Sequence, residues 1–189
     1  MFVSLPFVEI EVRLGTFSNT FDNSIDSKYF NQILSELEKY TNWVDVEVNN
    51  TTEYINKNMK LINDTTLIMK EHVIKKDIQL KNSPFDIRFC VNQEFLMNSN
   101  KDSFQKSDSF VRQKSRKSFI GDNFRYDLTI VRETINNIPK DKFEIEIELL
   151  VNNETLQWNT DYIYDFLQSK IYDLVVIVEP VENFQVNFK

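Results

Sequence analysis

"FEIEIEL", Phe143 to Leu149, places Glu144, Glu146 and Glu148 at alternate positions between Phe143, Ile145, Ile147 and Leu149. Period two is the repeat of a strand, so the glutamates project from one side of the backbone and the apolar residues from the other. One side packs, and the other is a comb of carboxylates. Two readings of the comb are open. On an edge strand it is a solvated face whose charge opposes pairing with other chains. Facing an enclosed space, carboxylates roughly 7 Å apart at an effective dielectric near 20 repel by about 2 kcal/mol per pair, and such a face needs cations.

Other segments extend the pattern. In "VEIEVRLGTF", Val8, Ile10, Val12 and Leu14 oppose Glu9, Glu11 and Arg13. In "FVRQKSRKSF", Arg112, Lys114 and Arg116 alternate with Gln113, Ser115 and Lys117, so both faces are polar. "FRYDLTIVR" sets Phe124, Tyr126, Leu128 and Ile130 against Arg125, Asp127 and Thr129, with Arg132 out of phase. "FDIRFCVNQE" sets Phe85, Ile87, Phe89 and Val91 against Asp86, Arg88, Cys90, Asn92 and Glu94. With "WVDVEVN", "TTLIMKEHVIKKDIQL" and a terminal "FQVNF", these predict a β-dominated α+β chain. Two helical stripes interrupt it. One carries Phe30, Ile33, Leu34 and Leu37 behind Ser24 or Asp26 as cap, and the other spans about residues 160 to 170 with Tyr162, Ile163, Phe166 and Leu167. The stretch from Leu96 to Ser109 is polar and reads as a loop.

Composition narrows the chemistry. The 189 residues, 41% of them hydrophobic, suit one domain with a sizeable core. With two glycines, no Gly-rich phosphate cradle can be assembled, so phosphate chemistry must use side chains. A formal net charge of −7 excludes a generally basic nucleic-acid-binding surface, and a polyanion would need a local basic site. The single cysteine, Cys90, excludes an internal disulfide and fits a reducing, intracellular setting; the single histidine, His72, excludes a histidine-rich metal centre. No stretch approaches the roughly 20 apolar residues of a membrane helix, and the start lacks a charged leader region, so no membrane partner is expected.

Charged combs of both signs on five strands are explained together if the sheet closes on itself with the charged faces inside. Arg and Lys on some walls would then bind a polyphosphate, and carboxylates on another would hold a divalent cation that bridges to it.

"VEIEVRLGTF" and "FEIEIELL" resemble the paired glutamate strands of the triphosphate tunnel metalloenzymes, and "RQKSRKSF…FRYDLTIVRE" resembles the R-x-K-x-R and D-L-T strands of their mRNA-capping branch, the metal-dependent RNA 5′-triphosphatases of fungi, protists and large DNA viruses. The likeness runs from Val8 to Leu150. It implies an eight-stranded antiparallel β-barrel, a tunnel with charged lumen and flanking helices. The implied activity is removal of the γ-phosphate from 5′-triphosphate-ended RNA, the first step of cap formation, with accompanying hydrolysis of nucleoside triphosphates. The resemblance further implies that Glu9, Glu11 and Glu148 coordinate Mg²⁺ or Mn²⁺. Glu144 and Glu146 order water and basic side chains, one of them positioning the attacking water. Arg112, Lys114 and Arg116 bind phosphate, Arg88 and Arg132 add basic wall positions, and Asp127, Thr129 and Glu94 support them, with Lys75 or Lys76 as a further tunnel lysine. Implied partners are the RNA end, nucleoside triphosphates, and guanylyltransferase and methyltransferase modules of the same capping enzyme. The Asn-, Ile- and Lys-rich composition is compatible with a viral source, which implies host cytoplasm or virion; a cellular source implies the nucleus. Two alternatives stand beside this. A tripolyphosphatase or thiamine triphosphatase of the CYTH type is favoured less by Arg13, where that branch has lysine, and a non-catalytic phosphate-binding barrel is the other.

Overall fold

The computed structural model describes residues 3, 5–97, 104–135 and 138–188. Nine strands occur in the order β1 (Val8–Phe17), β2 (Phe21–Asp22), β3 (Asp45–Asn56), β4 (Met59–Ile62), β5 (Thr66–Ile78), β6 (Asp86–Leu96), β7 (Phe110–Ile120), β8 (Phe124–Ile135) and β9 (Ile138–Leu149). Helix α1 (Ser27–Lys39) lies between β2 and β3, and α2 (Thr160–Val178) follows β9. The hydrogen-bonded order is β2-β1-β6-β5-β4-β3-β7-β8-β9, and β1 also pairs with β9. Eight antiparallel strands therefore close into a barrel, and the two-residue β2 is an appendage that folds back on the end of β1. Gly15 permits that return, because a Cβ there would lie 2.2 Å from the carbonyl oxygen of Asp22.

The barrel is inverted in polarity. The apolar members of each alternating strand face outward: Ile10, Val12 and Leu14 of β1, Ile87, Phe89 and Val91 of β6, Tyr126 and Leu128 of β8, and Ile145, Ile147 and Leu149 of β9. They are buried under the two helices. Asp26 caps α1 by accepting from the amide of Lys28 at 2.7 Å, and Phe30, Ile33 and Leu37 form its buried stripe. Asn159 caps α2, whose Ile163, Leu167, Ile171, Leu174 and Val175 recur at helical spacing. Burying five such side chains contributes on the order of 10 kcal/mol. The helices cover the β6-β1-β9-β8 side and reach the end of β7, where Phe119 joins the same core and Lys117 pairs with Glu38 of α1 at 2.7 Å. On the opposite side β3 is largely bare, with Val48 65% exposed, and a small second cluster of Leu61, Leu67 and Phe104 covers β4 and the start of β5.

Three expectations change. The second helix runs to Val178, because "DLVVIV" continues the stripe of α2 through Leu174 and Val175 before Pro180 forbids further turns. The terminal "FQVNF" is not a strand: residues 184–188 have no ladder partner, and Phe188 instead stacks on Tyr164. Residues 98–103 of the Leu96–Ser109 loop lie outside the described residues; the rest includes a short 3₁₀ turn at Lys106–Asp108 and buried Phe104.

Candidate functional site

Strand register decides which charges meet inside the barrel. Across β1 and β9, Glu11 stands opposite Glu148 and Arg13 opposite Glu146. Across β9 and β8, Glu148, Glu146 and Glu144 stand opposite Arg125, Asp127 and Thr129. Across β8 and β7, Thr129 and Asp127 stand opposite Arg116 and Ser118, and β3 brings Thr51 opposite Lys114. On the other side of β1, Glu9 faces Asn92 of β6, and Lys70 of β5 faces Glu94. Between these strands lies a cavity of about 310 Å³ within the barrel. Glu9, Glu11, Glu47, Glu53, Glu94, Glu146 and Glu148 line it, as do Arg13, Lys60, Lys70, Lys114, Arg116 and Arg125. Seven carboxylates against six cations leave the wall near neutrality. A depression of about 380 Å³ on the outer face of β3, β7 and β8 holds no such convergence of charge.

Each cation inside is held by carboxylates, at least one of them from another strand. Arg116 reaches Asp127 and Glu146 at 2.9 Å each and donates to Thr129 at 3.1 Å. Arg13 lies 2.8 Å from Glu11 and 3.1 Å from Glu146. Arg125 pairs with Glu148 and, at 3.1 Å, with Asp127. Lys114 lies 3.0 Å from Glu53. Lys70 pairs with Glu9 and lies 3.4 Å from Glu11 and 3.3 Å from Glu94.

The environments separate the carboxylates. Burial works against ionised Glu146, but Arg13, Arg116 and Lys114 overcome it and hold this carboxyl well below the usual range. Glu148 goes the other way: burial, reinforced by Glu9, Asp127 and Glu11, outweighs Arg125 and pushes its carboxyl up to about 7. Burial also raises Glu144 against the pull of Arg112. Burial lowers the ammonium of Lys114 despite Glu53 and Glu146. Cys90 is buried in the wall with its thiol pushed up to about 11 by desolvation, so it is a poor nucleophile.

Of the residues expected from the sequence, Glu9, Glu11, Glu94, Lys114, Arg116, Glu146 and Glu148 line the cavity, and Asp127 and Thr129 are buried directly behind Arg116. Arg112 and Glu144 face inward but form a separate knot beyond the cavity lining, where Arg112 pairs with Glu144 and Glu133, and Asn23 donates to Glu144 at 2.7 Å. Arg88 also lies outside the lining; Asp77 at 2.6 Å and the ring of Phe21 at 4.6 Å hold it. Arg132 is misplaced by the sequence reading. It keeps the parity of Tyr126, Leu128 and Ile130, so it points out of the barrel with its side chain 61% exposed and is paired with Asp141 at 2.9 Å. The inward neighbour is Glu133. The extra tunnel lysine is Lys70; Lys75 and Lys76 do not line the cavity but lie past the register shift between His72 and Ile74, with Lys75 exposed opposite Cys90 and Lys76 opposite Phe89. Arg13, Arg125, Glu53, Lys60 and Asn92 were not singled out. Parity within their own strands was enough to find Arg13 and Arg125.

Among the described residues no three His, Cys, Asp or Glu side chains are gathered into a cage for an ion. The donor set nevertheless suits a hard divalent cation. Glu9, Glu11 and Glu148 offer only oxygens, lie on adjacent strands and face one space, and the ammonium of Lys70 sits between Glu9 and Glu11 as a cation stand-in. Among the described residues no helix is long and apolar enough to cross a membrane.

Residues 54–163 match the family described as mRNA capping enzyme, beta chain. Among solved structures, the RNA triphosphatase Pct1 of S. pombe superposes with a TM-score of 0.69 at 15% identity, over 94% of this chain and 86% of that one. A second structure of Pct1, in complex with the Spt5 CTD, gives a TM-score of 0.64 at 17% identity, over 90% and 81% of the two chains. The Mimivirus capping enzyme triphosphatase gives 0.60 at 18% identity, over 95% and 92%. No curated protein sequence matches the chain.

Proposed function

The chain belongs to the family of the mRNA capping enzyme beta chain and hydrolyses the 5′-triphosphate end of RNA; from that premise we propose how its tunnel performs the reaction and what it requires. The observation that carries the proposal is the juxtaposition, in one cavity, of Glu9, Glu11 and Glu148 with Arg13, Lys114, Arg116 and Arg125.

The triphosphate enters the cavity and exchanges its oxygens for the carboxylates that hold these cations in its absence. Arg116 and Arg125 grip through planar forks, and Lys114, whose ammonium burial destabilises, gains a phosphate partner. Glu146 stays ionised and serves as an anchor, fixing Arg13 and Arg116 at the phosphate. Arg112 and Glu144 act from behind the lining as a positioning pair. Glu9, Glu11 and Glu148 hold Mg²⁺ or Mn²⁺, which supplies neutralisation of phosphoryl charge when bound. Water forms a bond to the γ-phosphorus as the bond to the β–γ bridging oxygen breaks, yielding inorganic phosphate and a diphosphate-ended RNA. The loose transition state of such transfer makes fixed charge and alignment worth more than a strong base. Nucleoside triphosphates present the same phosphates and are hydrolysed too. The diphosphate end is the substrate of a guanylyltransferase, followed by a methyltransferase, the partners this reading implies.

Release of phosphate from γ-labelled triphosphate-ended RNA, with and without Mg²⁺ or Mn²⁺, tests the proposal. Metal-dependent release is expected, and equal release after removal of divalent cations would refute the assigned role of the carboxylates.

A further inference from the structure

Behind Glu9 and Glu11 lies one neutral polar group. Asn92 is fully buried on β6, opposite Glu9 on one side and His72 of β5 on the other. Its Nδ2 donates to Glu9 Oε2 at 3.0 Å and to Glu11 Oε1 at 3.0 Å, and its Oδ1 meets His72 Nδ1 at 2.6 Å. Ionised carboxylates only accept, so the amide nitrogen must face them and the amide oxygen must face the ring. With the amide oxygen on that side, the contact is a hydrogen bond when Nδ1 of His72 carries the hydrogen and donates it.

The choice of side chain is informative. Two carboxylates this close repel, and whatever draws them together alters their use. A lysine or arginine would neutralise the pair and compete with any incoming cation, as Lys70 does from the open side. An aspartate would add repulsion, and a hydroxyl has one hydrogen to give. An amide carries two hydrogens on one atom and no charge, so it joins both carboxylates and leaves their negative charge, and most of their lone pairs, for a ligand.

We propose that Asn92 is a positioning residue for the Glu9–Glu11 pair: it sets their spacing for a divalent cation without touching the cation or the phosphates. This rests on the reading that Glu9 and Glu11 hold the metal. Partners that orient metal ligands typically contribute 10–100-fold in metal affinity, which sets the expected size of the effect.

The test is direct binding of Mn²⁺ to the full chain, read from the loss of the free-ion electron paramagnetic resonance signal, with thermal unfolding in the absence of metal as a folding control. The variants are Asn92→Ala, Asn92→Ser and Glu11→Ala. Asn92→Ala is expected to raise the Kd for Mn²⁺ by about 10–100-fold, and Asn92→Ser, which retains one donor, by less. The Mn²⁺ concentration for half-maximal phosphate release should rise in parallel, while kcat at saturating Mn²⁺ returns close to the parent value, a split that general damage to the barrel does not produce. A parental Kd in folded Asn92→Ala, with binding lost in Glu11→Ala, overturns the role of Asn92 alone. Should Asn92→Ala fail to fold, a parental Kd in Asn92→Ser overturns it equally. Parental binding in Glu11→Ala overturns the metal reading beneath it.

Discussion

Replacing Glu148 by glutamine should stabilise the metal-free protein while weakening its hold on metal. The carboxyl titrates near 7 in the folded chain against 4.5 ordinarily, chiefly because burial disfavours its charge. A displacement of that size corresponds to roughly 3 kcal/mol. The side chain is 22% exposed and keeps its bond to Arg125, so a net effect of roughly 1–2 kcal/mol at pH 8 is the reasonable expectation. Because the folded pKa is raised, the folded chain binds the extra proton between pH 4.5 and 7, and the destabilisation appears as pH rises through that window. Glu148→Gln removes the ionisation, so at pH 8 and without metal it should melt about 2–8 °C above the parent, and the difference should vanish below about pH 4.5. With Mn²⁺ present the order should reverse, since the parent gains from binding and the variant loses a ligand. The parent should release a proton on binding Mn²⁺ at pH 6 and much less of one at pH 8. Differential scanning fluorimetry across pH, with and without Mn²⁺, measures the first effect and calorimetry in two buffers the second. A metal-free variant no more stable than the parent at pH 8 would refute the claim that this glutamate is held in a strained ionised state.

Glu9→Ala and Glu11→Ala should each abolish metal-dependent phosphate release while leaving the fold intact by circular dichroism; near-parental turnover of either at saturating metal removes that residue from the ligand set. Arg116→Lys should lose about 10²-fold or more in kcat/KM, since one ammonium cannot replace a fork bonded to Asp127, Glu146 and Thr129 and charge-assisted bonds contribute roughly 1.5–3 kcal/mol each; Arg132→Lys, outside the barrel, should change neither kcat nor KM by more than about twofold. Triphosphate-ended RNA should show a higher kcat/KM than ATP or tripolyphosphate when the three are assayed in parallel, and tripolyphosphate exceeding RNA would assign the cavity to a smaller substrate.

The alternation of Phe143 to Leu149 showed which residues of β9 share a face, and the combs of both signs on the other strands were needed to turn its glutamates inward. The apolar halves of β1, β6, β8 and β9 were legible for the same reason, because each packs under a helix and so must be continuous. Legibility failed where that contrast disappears. β3 has little apolar burial on either face, so nothing in "NNTTEYIN" distinguishes inward Glu53 from its neighbours. The irregularity after His72 changes which positions of β5 face inward, so no single alternation along "TTLIMKEHVIKKDIQL" separates Lys70 from Lys75 and Lys76. Arg132 was drawn in by its charge although its phase, shared with Ile130, already placed it outside. Asn92 was visible on the polar face of β6, but its bonds to Glu9, Glu11 and His72 depend on three strands meeting. That is a property of register rather than of any one segment.

The pairing of β1 with β9 gives the barrel a seam between segments far apart in the chain, from Ile10 opposite Leu149 to Arg13 opposite Glu146. Closing so long a loop carries an entropic cost that short hairpins avoid, so the seam is expected to zip after the hairpins that flank it. Within it Glu11 stands directly opposite Glu148, and like charges across a ladder push strands apart. The weakest stitch thus coincides with the cation site proposed above, and an ion held there would rivet the cylinder shut as well as serve the chemistry. Backbone amides along β1 and β9 should then exchange with solvent more slowly when Mn²⁺ is bound, while those between β3 and β7, away from the seam, should hardly change.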